Sequence, residues 1–146
     1  MNIKNLIKNI MIPIVVGIIV SIIMMPFNNY ESLNQPPLAP PAIAFPIVWT
    51  ILYILMGISA YMISERKGNL SLYYLQLFVN ALWSIIFFVF KLRLLAFIWI
   101  ILLIILVIKM IIQFKSIKNI AGYLQIPYLL WLLFAAYLNF GVYLLN

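Results

Sequence analysis

The chain has 146 residues, 68% of them hydrophobic and only 8% charged. Soluble domains are about half apolar and about a quarter charged, so this composition excludes a water-soluble globule and a disordered tail. Nine Lys and Arg against Glu31 and Glu65 give a net charge of +7. The basic residues lie scattered at the ends of apolar runs, with no basic stripe and interleaved aromatics, which excludes a nucleic-acid-binding domain. The sequence has neither Cys nor His, which removes disulfides, thiolate chemistry, zinc sites, imidazole acid–base work and His-ligated haem. These features describe an all-α integral membrane protein.

Charges divide the chain into neutral intervals 9–30, 32–64, 68–90, 94–108 and 119–146. A spanning helix needs about 20 mostly apolar residues, and the first interval predicts one over about 6–26. Lys4 and Lys8 ahead of it resemble a signal peptide, but the run ends Met24-Met25-Pro26-Phe27-Asn28 without a small-x-small cleavage site. It is therefore read as an uncleaved helix, with Gly17 and Ser21 forming a weak small-xxx-small pair. The Pro-rich stretch Ser32 to Pro41 cannot be regular helix, so the second helix is expected over about 42–64. Trp49, Tyr53, Gly57 and Ala60 share one of its faces.

The third helix, about 71–90, places Gln76, Asn80, Trp83 and Ser84 at i, i+4, i+7 and i+8. That polar face should point into a bundle, as interhelical hydrogen-bonding glue or as a ligand contact. Met110 to Phe114 prolong the fourth apolar run beyond Lys109, giving a helix over about 94–114 whose lysine snorkels to the interface. The fifth, about 122–145, carries Pro127 near its start, where a turn-sized irregularity is expected, with a simple helix kink as the plain alternative. Tyr128, Trp131, Ala135, Leu138 and Asn139 form its stripe. For each Trp and Tyr the plain alternative is an aromatic belt at the membrane interface.

None of the five spans carries an acid, which argues against a proton-coupled pump or antiporter. No internal repeat supports an inverted-repeat transporter. With the N-terminus inside, Lys4, Lys8, Arg66, Lys67, Lys109, Lys115 and Lys118 are cytoplasmic and only Lys91 and Arg93 external. A bacterial inner membrane is expected, since the N-terminus is not of transit type. Three helices presenting aromatic rings with small or amide groups would suit a large, flat, mostly apolar ligand needing one or two hydrogen bonds.

Pro36-Pro37-Leu38-Ala39-Pro40-Pro41, Phe45, Val48-Trp49, Leu52-Tyr53 and Met56-Gly57 resemble the signature of the TspO/translocator family, the tryptophan-rich sensory proteins related to the peripheral benzodiazepine receptor. Leu75-Gln76-Leu77, Asn80 and Trp83-Ser84 are similar to its third-helix pattern, and Pro127-Tyr128, Trp131, Phe134-Ala135 and Tyr137-Leu138-Asn139 to its fifth. The resemblance covers essentially the whole chain and implies a single five-helix bundle, usually a homodimer, with a pocket beneath the first loop. It implies binding of porphyrins such as protoporphyrin IX and haem, of cholesterol in animal members, and of benzodiazepine-type ligands. No resident cofactor and no metal are implied.

Carried over by position, Tyr30, Trp49, Asn80, Trp83, Trp131 and Ala135 would line the pocket, and Tyr53 and Tyr128 join them from the aromatic faces. Trp49 and Trp131 match the tryptophans associated with light-dependent porphyrin breakdown in some bacterial relatives. Binding, such breakdown, and a merely structural packing role are thus the competing functions. Two positions depart from the family pattern: Leu38 stands where Trp is common, and Trp99 where the fourth helix often has an acid.

Overall fold

The computed structural model describes residues 2–146, and the described residues contain helices and turns but no strand. The helices are α1 (Ile3–Met24), α2 (Ala44–Glu65), α3 (Ser71–Ser84), α4 (Arg93–Ile117), α5 (Asn119–Tyr123) and α6 (Ile126–Leu145). Five segments are long and apolar enough to cross a membrane: Ile3–Phe27, Ala44–Glu65, Ser71–Val89, Arg93–Ile117 and Asn119–Leu145. The protein is an all-helical integral membrane bundle. Even the shortest segment, of 19 residues, nearly matches an apolar layer of about 30 Å at about 1.5 Å per residue.

The ends of the spans follow local chemistry. α1 begins earlier than expected because the Asn2 side chain accepts from the Asn5 N–H at 3.2 Å and caps the first turn. α3 continues as one turn of π-helix over Ile85–Val89, marked by the Phe90 N–H reaching the Ile85 carbonyl at 3.1 Å. The fifth span has the irregularity expected near Pro127, as a turn between two helices and not a simple kink. α5 stops at Tyr123, a turn carries Leu124 and Gln125, and Pro127 takes the first turn of α6, where its missing N–H costs nothing.

α1 packs chiefly against α2, and α4 packs against both α3 and α6. α1 is the peripheral helix: 11% of its apolar window is buried, against 39% in each of the others. The main core joins α2, α3, α4 and α6 through Met56, Ile63, Tyr73, Val107, Phe114 and Leu132. It fills the half of the bundle remote from the first loop. In the other half a smaller cluster, Phe87, Ala96 and Val142, packs beside an open space.

The first loop closes over that space and is fastened to α6. Tyr137 Oη donates to the Pro37 carbonyl at 2.6 Å, and Asn146 Nδ2 donates to the Asn34 carbonyl at 2.8 Å. Gly141 makes room for the ring of buried Pro36, which would lie 2.5 Å from an added Cβ.

Candidate functional site

Beneath the first loop lies a cavity of about 330 Å³, near the lower end of the range of about 300–1,000 Å³ usual for small-molecule sites. Four spans and the loop build it. α1 brings Gly17, Ser21 and Met24, the loop Asn28 and Tyr30, and α2 Phe45, Trp49 and Tyr53. α3 and its π turn bring Trp83, Ser84, Phe87 and Phe88, and α6 brings Ala135, Leu138, Asn139 and Val142. No lining side chain is charged. The wall is largely apolar and rich in aromatic rings, with amides and hydroxyls at intervals, and it offers no acid–base pair.

Of the residues singled out from sequence, Tyr30, Trp49, Tyr53, Trp83 and Ala135 face this cavity, whereas Asn80, Tyr128 and Trp131 do not. Asn80 and Tyr128 are buried in a polar chain between α3 and α6. Asn80 Nδ2 donates to Tyr128 Oη at 2.6 Å, and that hydroxyl donates to Gln76 Oε1 at 2.8 Å. The polar face of α3 therefore divides: Gln76 and Asn80 serve helix–helix bonding, while Trp83 and Ser84 reach the cavity. Trp131 lies behind the wall. Its ring meets Phe45 edge-on at 5.8 Å and Phe134 at 5.6 Å, and its buried Nε1 has no partner. Phe45 thus stands where a direct contact between Trp131 and a ligand was expected.

The polar atoms of the wall are mostly fixed in advance. Trp83 Nε1 donates to Asn139 Oδ1 at 2.9 Å, and Asn139 Nδ2 donates to the Arg93 carbonyl at 2.9 Å. Tyr30 Oη donates to the Pro40 carbonyl at 2.6 Å while its ring meets Phe45 edge-on at 4.8 Å. Burial raises the Tyr30 hydroxyl above the ordinary phenol value of 10.0. Trp49 stacks obliquely on Tyr53 at 5.5 Å and meets Tyr128 edge-on at 6.2 Å.

Sequence reasoning missed Phe45, Phe87 and Phe88 as wall residues, although the signal was present. Phe45 is four residues before Trp49, and Phe87 and Phe88 are four after Trp83 and Ser84, hence on the same helical faces. The share of α1 was not signalled. Gly17, noted only as half of a weak pairing motif, turns toward Tyr53, whose ring would lie 2.4 Å from an added Cβ. The two departures from the family pattern fall outside the cavity. Leu38 is the 84% exposed tip of the loop in left-handed backbone, φ 71°, and Trp99 Nε1 donates to the Val79 carbonyl at 2.8 Å between α4 and α3.

Comparison with known proteins agrees with this architecture. A sequence profile of the TspO/MBR family matches residues 9–145. The chain is 36% identical over 124 residues to the tryptophan-rich protein TspO of Chlorobaculum tepidum, covering 80% of this chain and 78% of that one. It is 34% identical to the tryptophan-rich sensory protein of Cereibacter sphaeroides, covering 85% and 80%, and 32% identical to the translocator protein of Ovis aries, covering 80% and 74%. The protein, a five-span bundle with an aromatic cavity under its first loop, belongs to the TspO/MBR family.

Proposed function

We propose that the cavity receives a flat, largely apolar small molecule, a porphyrin such as protoporphyrin IX or haem or a benzodiazepine-type compound, and that the protein acts as a membrane receptor or sensor in tetrapyrrole transport or regulation. The observation that carries this reading is the wall itself. Trp49, Tyr53, Trp83, Phe45 and Phe87 offer ring surface from two spans, with Asn139, Ser84 and Asn28 as scattered hydrogen-bonding groups. Aromatic contacts are each worth about 0.5–1.5 kcal/mol beyond area burial. A porphyrin titration in the dark tests the reading. Saturable binding is expected for the wild type, with the midpoint weakened up to about tenfold in Trp49→Phe. A wild type that never saturates sinks the proposal.

Light-dependent breakdown of bound porphyrin is the second reading, favoured by the place of the Trp49 indole in the wall. Under illumination Trp49→Phe should slow product formation more than Trp131→Phe, whose ring lies behind Phe45. The seven-to-two division of Lys and Arg supports a cytoplasmic N-terminus in a bacterial inner membrane. A homodimer is carried over from the family.

A further inference from the structure

Beside the cavity, at the same end of the bundle, lies a second hollow of about 480 Å³. Lys91, Arg93, Tyr143 and Asn146 line it, and Val142 lines both spaces. The hollow is lined by two cationic side chains and no acidic side chain. Lys91 and Arg93 are also the only cations at this end: the other seven lie toward the opposite end, and Glu31 is the one acid of the first loop.

Arg93 is held in place before any ligand arrives. Its guanidinium carbon sits 4.6 Å from the centroid of the Phe87 ring, and its Nε donates to the Phe87 carbonyl at 3.0 Å. Its own carbonyl accepts from Asn139, which in turn accepts from Trp83. Phe87, Asn139 and Trp83 all line the apolar cavity, so the charge stands one ring away from the cavity wall. The terminal Nη donors have no recorded partner among the described residues. A guanidinium fixed this way presents a planar fork suited to two oxygens of one carboxylate or phosphate. The exposed Lys91, set in left-handed backbone at φ 55°, adds a second charge at the same rim.

We propose that Lys91 and Arg93 form an anion anchor, holding the acidic group of an amphiphile whose apolar body fills the cavity. The proposal rests on the reading of that cavity as a ligand site and adds the ligand class: a flat or chain-like apolar body with an anionic edge. The anionic oxygens come from carboxylates on the cavity ligand or from the phosphate of a lipid. In either case Arg93 fixes the direction in which the ligand lies, and Lys91 strengthens attraction at the mouth.

The test uses the full chain in phosphatidylcholine nanodiscs as wild type, Lys91→Gln, Arg93→Lys and the Lys91→Gln/Arg93→Gln pair. One arm compares protoporphyrin IX with its dimethyl ester, which has the same ring without the charges. The wild type should prefer the diacid about tenfold, the value of one charged hydrogen-bonded contact. The pair should lose that preference while keeping its affinity for the ester, and Arg93→Lys should fall between. The second arm replaces part of the lipid by brominated phosphatidylglycerol or brominated phosphatidylcholine and reads tryptophan quenching.

A charge-dependent lipid signal with no saturable porphyrin binding would sink the tetrapyrrole reading yet keep the anchor, with lipid phosphate as its anion. Equal binding of diacid and ester together with equal quenching by both lipids would overturn the anchor. So would a diacid preference that survives in the pair. Thermal midpoints monitor folding, and if the pair unfolds, the exposed Lys91→Gln carries the same comparison.

Discussion

Gly57 shows how much of this bundle depends on the absence of one carbon. An added Cβ would lie 2.4 Å from the Ile10 Cα and 2.7 Å from the Asn9 carbonyl oxygen, both backbone atoms that cannot swing aside. Pro13, inside α1, lacks the N–H that would otherwise bond the Asn9 carbonyl. The α2 backbone therefore approaches α1 where that carbonyl is free. Between helices in lipid such close approach replaces hydrophobic driving force as the source of association. Gly57→Ala is expected to push α1 away from α2 and to cost about 1–3 kcal/mol, the usual range for overpacking. A thermal midpoint equal to wild type in the same detergent would contradict this account. Glycine at position 57 was legible as a small residue on the Trp49 face, but its partner on α1 was not, because composition carries no pairing information.

Among the elements, the first loop does the work of a lid although it has no regular structure beyond two short turns. Tyr30 anchors it from within. The hydroxyl bonds the Pro40 carbonyl, Gln35 Nε2 donates to the Tyr30 carbonyl at 2.6 Å, and the ring rests on Phe45 of α2. Because burial raises the hydroxyl above 10.0, the folded loop holds this proton more tightly than the unfolded chain. The contribution of Tyr30 is complete below that value and is lost as pH rises through the folded value. The thermal midpoint should therefore fall on going beyond pH 10.0 in wild type. Tyr30→Phe should start lower and show a smaller alkaline decline. An unchanged alkaline profile in the variant would remove Tyr30 from this role. The loop was visible in the sequence as a proline-rich interruption, and the fifth span was visible with its Pro127. An irregularity was legible at Pro127, but not that the helix stops outright at Leu124 and Gln125, since neither residue forbids helix.

For the whole molecule, the two ends of the bundle differ in kind. One end is packed, with Asn5 Nδ2 donating to Glu65 Oε1 at 2.8 Å and Ser59 Oγ to the Ala121 carbonyl at 2.6 Å. The other is hollow, covered by the loop and rimmed by Lys91 and Arg93. On the proposed orientation the hollow end faces outward. The chain has no Cys, so single cysteines report sidedness without background. Lys91→Cys should react with a membrane-impermeant maleimide in intact cells, whereas Lys67→Cys should react only after lysis. The reverse pattern would invert the topology and place the cavity mouth in the cytoplasm.

Sequence alone determined the number of spans and their approximate bounds, because the length of an uncharged apolar run is enough to say what crosses an apolar layer. It also determined which side chains share a helical face, because the angle around a helix is set by residue spacing. Tertiary structure decided what each face meets. Asn80 and Tyr128 satisfy one another rather than facing the cavity, and Phe45 separates Trp131 from it. Spacing gives an angle but neither depth nor neighbour. The buried Asn80 amide takes the acceptor that packing brings to it, since leaving it unpaired in an apolar layer is costly. The same reason accounts for Arg93, which reads in the sequence as one more cation at a helix end and is turned by Phe87 and Asn139 into part of the rim.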